Sequence, residues 1–238
     1  MDWIFFDCFN TLIDDFDSQG TIDGLETIAY LPVEAGVFDT AVAFREAFRE
    51  ARAVNWWQPE SEVHLAVRLQ EVLVRRGGME ATAAVGLVDE MLASFDATYP
   101  ATLRLTPRVQ EMLEHWATVA RLAVVSNFFI PGWPQQVLET HGLGQYFEFV
   151  IDSAVIGAKK PEPKIYREAL RLAGVAPGNV LFVGDDYQRD VAAPRELGMQ
   201  ARHLCRFGHR PGVAPSPDPD PIRHWDEFRL DCCLMGPL

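Results

Sequence analysis

The side chains able to do chemistry sit at the ends of apolar runs. Asp7 closes Trp3-Ile4-Phe5-Phe6, and Ser126 closes Leu122-Ala123-Val124-Val125. Asp185, Asp186 and Asp190 follow Asn179-Val180-Leu181-Phe182-Val183-Gly184. Lys159 and Lys160 stand in a proline-punctuated loop, Gly157-Ala158-Lys159-Lys160-Pro161-Glu162-Pro163. Such apolar runs read as fully buried strands. In an open parallel sheet, ligands bind beyond the carboxyl ends of the strands. A carboxylate delivered there is a candidate nucleophile, although a strand-ending Asp taken alone equally suits a turn cap.

An anionic nucleophile attacking an anionic group needs positive charge between the two. Lys160 suits that task, because a lysine is a compact point charge able to hold a carboxylate and a phosphoryl oxygen together. The Ser126 hydroxyl and the Asn127 backbone N–H would bind an oxygen of the group in transfer; the alternative is that Ser126 caps the next turn. Asp185, Asp186 and Asp190 would join Asp7 at one sheet edge, where mutual repulsion is costly at low effective dielectric. One lysine does not neutralise them. A hard divalent cation does, and Mg²⁺ takes one or two carboxylates together with waters and phosphate oxygens. Asp186 is read instead as charge at the start of the following helix, and Lys159 as a surface residue.

These residues need a scaffold that brings strand ends together. The strand near residues 2–7 starts it. From about Thr106 the chain alternates, with helix over 107–119, strand over 121–126, helix over 132–141 and strand over 147–152. Helix over 164–173, strand over 179–184, helix over 190–197 and strand over 200–205 follow. Such alternation predicts an α/β fold built on a doubly wound parallel sheet. Residues 15–104 differ. Ala41, Phe44, Ala47, Phe48 and Ala51 recur at helical spacing, as do Val63, Val67, Leu69, Val72 and Leu73, and 81–95 is rich in helix formers. No convincing strand interrupts them, so a mostly helical second domain is expected. Residues 211–221 are rich in Pro and Asp and read as an extended surface loop, after which Trp225 and Phe228 are expected to pack back on the core.

The chain has 238 residues and a net charge of −13. That length can bury a substantial core. The charge repels a phosphate backbone, which argues against nucleic acid, and no basic segment would hold an anionic membrane. No apolar stretch reaches the roughly 18 residues of a spanning helix, and the first residues lack the basic flank of a signal peptide. Cys8, Cys205, Cys232 and Cys233 show neither zinc spacing nor a disulfide framework. A reduced, cytoplasmic setting is expected. Cys8 is read as a small residue lining the first strand, since no His lies near it in sequence. A homodimer is compatible with the sequence.

In this order, Asp7, Ser126, Lys160 and the Asp185/Asp190 acids resemble the motifs of the haloacid dehalogenase superfamily of hydrolases. The resemblance spans all but the last thirty or so residues. It implies a Rossmann-like core over 1–14 and 105–238, a helical cap over 15–104, and a covalent ester on Asp7 that is later hydrolysed. In phosphatases of this kind Mg²⁺ is held by the nucleophile, by the backbone carbonyl two residues on and by the first acid of the last motif, here Asp7, Phe9 and Asp185. Asp190 matches a second acid, often one step removed from the ion. Those phosphatases also carry an Asp two residues after the nucleophile, which protonates the leaving group and activates water. Here that position is Phe9. An aromatic residue there resembles the 2-haloacid dehalogenase branch, whose halide leaves unprotonated and which uses no metal. Arg45 lies roughly where dehalogenases place a halide-binding Arg, although a pairing with Glu46 or Glu50 would also account for it. Trp56 and Trp57 are adjacent, so at most one can face a pocket. The retained acids favour Mg²⁺-dependent hydrolysis of a small anionic organophosphate, with an acyl phosphate or a similarly good leaving group in view. The rivals are metal-independent 2-haloacid dehalogenation and a metal-binding regulatory protein with little turnover.

Overall fold

The computed structural model describes residues 1–15, 25–51, 61–206 and 216–229. Trp56, Trp57, Cys232 and Cys233 lie outside them. The chain divides into two compact units, Met1–Asp14, Pro59–Ser61 and Leu105–Leu238 in one, Asp15–Gln58 and Glu62–Arg104 in the other.

The strands are β1 (Trp3–Phe6), β2 (Ile13–Asp15), β3 (Leu103–Leu105), β4 (Arg121–Ser126), β5 (Val150–Asp152), β6 (Val180–Gly184) and β7 (Gln200–His203). The helices are α1 (Leu31–Glu34), α2 (Ala41–Ala51), α3 (Leu65–Arg75), α4 (Ala81–Thr98), α5 (Val109–Trp116), α6 (Trp133–Thr140), α7 (Ser153–Ile156), α8 (Pro163–Ala173), α9 (Ala193–Glu196) and α10 (Trp225–Arg229). Among the described residues no helix is long and apolar enough to cross a membrane.

The first unit is a five-stranded sheet in the order β5-β4-β1-β6-β7, with every pairing parallel. The chain starts at the centre, builds outward through β4 and β5, then crosses to β6 and β7. This is the doubly wound sheet that the alternating pattern predicts. Its central strands are apolar on both sides because both faces are covered. Trp3 and Phe5 join Ile165, Tyr166 and Ala169 of α8 in one layer. Phe6 points the other way, edge-on to Trp225 and Phe228, and Trp116 of α5 packs on Phe228. The segment with Trp225 and Phe228 therefore closes the second face of the sheet. Residues just before it are less exposed than the sequence suggests: Asp218 and Ile222 are buried. Ile222 exchanges backbone hydrogen bonds with His203 and Cys205 at 2.8 and 2.7 Å.

The second unit holds α1–α4. Phe44, Phe48, Leu69, Leu73, Met91 and Phe95 are buried. His64 Nδ1 accepts the Ala66 N–H to start α3, and Glu80 accepts the Thr82 and Ala83 N–H groups to start α4. At the two ends of 15–104, outside its helices, β2 and β3 pair as a two-stranded sheet that the sequence reading does not anticipate. Ile-Asp-Asp and Leu-Arg-Leu are too short and too polar to show strand periodicity.

Candidate active site

The ladder between β1 and β6 continues one step past Phe6, where the Asp7 N–H donates to the Val183 carbonyl at 2.9 Å. Asp7 is thereby fixed at the carboxyl end of the central strand. The chain then turns tightly. The Cys8 carbonyl accepts the N–H groups of Thr11, Leu12 and Ile13, and Asn10 sits at φ 61°, a left-handed conformation that Asn tolerates better than most residues. This turn points Thr11 back at Asp7, with Thr11 Oγ1 donating to Asp7 Oδ2 at 3.1 Å. Cys8 is buried and its thiol is pushed well up, first by burial and then by the Asp7 charge.

Lys160 is buried and its Nζ lies 2.7 Å from both Asp7 Oδ1 and Asp190 Oδ1. Burial is the largest influence on this ammonium and pushes its pKa down, but Asp190 and Asp7 together outweigh it and the net shift is upward. The amine is a charged cation at any ordinary pH. Its backbone is gripped by Asn127, whose Oδ1 accepts the Lys160 N–H at 2.8 Å and whose Nδ2 donates to the Lys160 carbonyl at 2.9 Å. Asn127 was expected to contact substrate through its backbone N–H; its side chain is committed to holding Lys160.

Asp190 lies in the π-helical turn Tyr187–Ala192 that follows β6. Besides Lys160, it accepts the Asp186 N–H on Oδ2 at 3.0 Å. Burial first, and Asp7 among the charges, push its pKa up to about 6 despite Lys160. Gly184 makes this approach possible, because a Cβ there would stand 2.4 Å from Asp190 Cγ. Asp186 accepts the Arg189 N–H at 2.9 Å and pairs with its guanidinium at 2.6 Å. It is a cap for that turn, in keeping with the reading of its charge.

Asp7, Asp185 and Asp190 each offer a carboxylate oxygen within 4.8 Å of the others. Burial, then Asp7, then Asp190 push the Asp185 carboxyl well above its ordinary range. Its side chain accepts no hydrogen bond from any described residue. Lys160 pairs with Asp7 and Asp190, Asp185 adds a third carboxyl that no salt bridge reaches among the described residues, and the ligand atoms these three offer are hard oxygens. The residues present fit a divalent cation of the Mg²⁺ type.

Ser126 closes β4 beside Asn127. Its Oγ is buried and finds no hydrogen-bond partner among the described residues, an arrangement that is costly unless the hydroxyl serves a ligand. Phe9 is half-buried, its ring stacked on Phe128 at 4.6 Å, and Phe128 stacks in turn on Phe129 and Trp133. The position two residues past Asp7 is therefore an aromatic wall with no proton to give. Ser153 Oγ secures this wall, accepting the Phe128 N–H at 3.0 Å. Lys159 is half-buried. Arg45, a candidate anion contact, lies in the second unit and pairs with Glu26 at 2.5 Å rather than with Glu46 or Glu50. Thr11 was missed by the sequence reading, although a hydroxyl four residues after Asp7 in a turn is a visible signal.

A sequence profile of the haloacid dehalogenase-like hydrolases matches residues 1–198. The human haloacid dehalogenase-like hydrolase domain-containing protein 3 is 36% identical over 125 residues, covering 52% of this chain and 49% of that protein. A phosphoserine phosphatase of Thermus thermophilus is 37% identical over 99 residues, covering 42% of this chain and 39% of that protein. The chain thus spans about half the length of the first relative and less of the second. Among solved structures, a 2-haloacid dehalogenase from Pseudomonas syringae superposes with a TM-score of 0.69 at 23% identity, covering 96% of each chain.

Proposed function

The chain belongs to the haloacid dehalogenase-like hydrolases, and from that premise we propose that it hydrolyses a small anionic organophosphate through an ester on Asp7, with Mg²⁺ as cofactor. The observation that carries this reading is the set of three neighbouring carboxylates, two of them on Lys160 and the third, Asp185, without a side-chain donor among the described residues. A site for metal-free halide displacement has no need of an extra partly buried acid beside the nucleophile, whose charge opposes that of Asp7. The phosphatase named among the relatives is in keeping with this choice.

The residues divide the work as follows. Thr11 and Lys160 hold the two oxygens of the Asp7 carboxylate and so aim it. Attack forms a bond from an Asp7 oxygen to phosphorus, and the bond from phosphorus to the leaving oxygen breaks with its electron pair. The Ser126 hydroxyl and the Asn127 N–H receive an oxygen of the phosphoryl group, and Lys160 offsets its charge. Water then displaces Asp7 from phosphorus and inorganic phosphate departs. A divalent cation held by Asp7, Asp185 and the Phe9 carbonyl, with Asp190 behind them, would supply the charge that brings two anions together. Phe9 donates no proton, so the substrate is one whose leaving group departs as a stable anion, such as an acyl phosphate.

The aromatic stack of Phe9 on Phe128 is the observation that favours a second reading, displacement of halide from a 2-haloacid. Side-by-side assays of phosphate esters, acyl phosphates and 2-haloacids, with Mg²⁺ and with a chelator, separate the two. Phosphate release that requires Mg²⁺ is expected. Halide release that survives the chelator would replace the first reading by the second. Metal binding without any turnover would point to a regulatory protein.

A further inference from the structure

His203 ends β7 with its ring buried, and the chemistry above makes no use of it. Its Nε2 lies 2.8 Å from the Asp185 carbonyl oxygen and its Nδ1 lies 2.5 Å from Ser216 Oγ. A carbonyl oxygen only accepts, so Nε2 carries a hydrogen, and in the neutral ring Nδ1 accepts from the Ser216 hydroxyl. Ser216 Oγ accepts in turn the Asp218 N–H at 3.1 Å. Tyr187 meets the ring edge-on at 5.8 Å. A directed row of hydrogen bonds thus runs from residues 216–218 through the imidazole to the peptide that leaves Asp185.

The neighbouring peptides are also tied down. The Gly184 carbonyl accepts the Leu204 N–H at 2.8 Å, and the Asp186 carbonyl accepts the Asp190 N–H at 2.7 Å. Among the described residues the Asp185 carbonyl is held by His203. Without that donor the Asp185 peptide is freer to rotate, and the Asp185 side chain would turn with it.

We propose that His203 is a positioning residue for the acidic loop: it fixes the Asp185 peptide, and with it the direction in which that carboxylate faces Asp7 and Asp190. Ser216 fixes His203, so residues 216–218 are part of the site's support. The proposal rests on Asp185 being a cation ligand only for its effect on metal affinity; its effect on the loop stands apart from that reading.

The test compares His203→Leu, which removes the donor, with His203→Gln, whose amide N–H reaches about as far as Nε2. Calorimetric titration with Mg²⁺ is expected to show affinity weakened about 10–100-fold by Leu, with most of it restored by Gln and a smaller loss for Ser216→Ala. Hydrogen exchange on the metal-free protein is expected to show faster exchange at the Asp186 and Asp190 amides in the Leu variant and restored protection in Gln. Unchanged exchange in a folded Leu variant overturns the proposal, as does a Gln variant no better than Leu. A wild-type chain that binds no Mg²⁺ sinks the cation reading instead, and the exchange data still decide on His203. If the Leu variant does not fold, His203→Asn takes its place, its shorter amide falling short of the carbonyl while remaining polar.

Discussion

Replacing Lys160 by Met removes the ammonium that bridges the buried Asp7 and Asp190 while keeping most of the side chain's volume. Two charge-assisted hydrogen bonds of 2.7 Å are lost, and such bonds contribute about 1.5–3 kcal/mol each. Breaking a buried ion pair from one side costs about 3–5 kcal/mol, because the remaining charge is stranded. The carboxylates can relieve that cost by binding a proton. Asp190, already raised to about 6 with Lys160 present, rises further without it. A carboxyl whose folded pKa lies above its unfolded value stabilises the fold at low pH and loses that contribution as pH rises through the folded pKa. The deficit of Lys160→Met therefore grows with pH. At about 1.4 kcal/mol per pH unit, we expect it to be about 1–3 kcal/mol larger at pH 8 than at pH 5. At pH 8 it should reach about 3–5 kcal/mol, or about 6–20 °C in melting temperature for a chain of this size. Urea unfolding of both proteins at the two pH values, with chelator present, measures this directly. A deficit below about 1 kcal/mol at pH 8, or one equal at both pH values, would refute the view that Lys160 holds the cluster by its charge.

Asp7→Asn should abolish turnover of any substrate found by the assays above while the thermal transition stays cooperative, since an amide cannot form the ester; residual turnover above one per cent would remove the covalent mechanism. Phe9→Asp should speed hydrolysis of phosphate esters with poor leaving groups by at most about 10²–10⁴ and leave acyl phosphates nearly unaffected, as measured by phosphate release. A variant that gained no phosphatase rate and lost dehalogenation would favour the haloacid reading. Gly184→Ala should displace Asp190 from Lys160, costing about 1–3 kcal/mol in urea unfolding and at least tenfold in kcat; unchanged values in both would show that the close approach is relieved elsewhere.

The strands at the centre of the sheet are legible because each is an uninterrupted apolar run. Trp3-Ile4-Phe5-Phe6, Leu122-Ala123-Val124-Val125 and Val180-Leu181-Phe182-Val183 can sit nowhere but between two covered faces. The side chains at their ends follow at once. What escapes sequence reading depends on contacts with no periodic signature. β2 and β3 are three residues each, too short to alternate. The turn after β6 starts at Tyr187 rather than Asp190, since it is wound to bring Asp190 back over Gly184. Asn127 serves a backbone far along the chain, and Arg45 finds Glu26 instead of a helical neighbour. His203 reads as an ordinary end of an ordinary strand until its two ring partners are seen.

The central place of β1 bears on how the chain is made. This strand emerges before both its neighbours in the sheet, which begin at Arg121 and Val180. At a synthesis rate of about 5–20 residues per second, the ribosome needs on the order of ten seconds or more to deliver the second of them. For that interval Trp3-Ile4-Phe5-Phe6 is an aromatic, uncharged segment with both edges open, the kind of stretch that pairs with copies of itself. Asp2 and Asp7 bracket it, and their charges oppose such pairing. A carboxylate placed for chemistry in the finished protein thus also guards the unfinished one, and variants that neutralise Asp7 should aggregate more readily during synthesis even where the folded protein is no less stable.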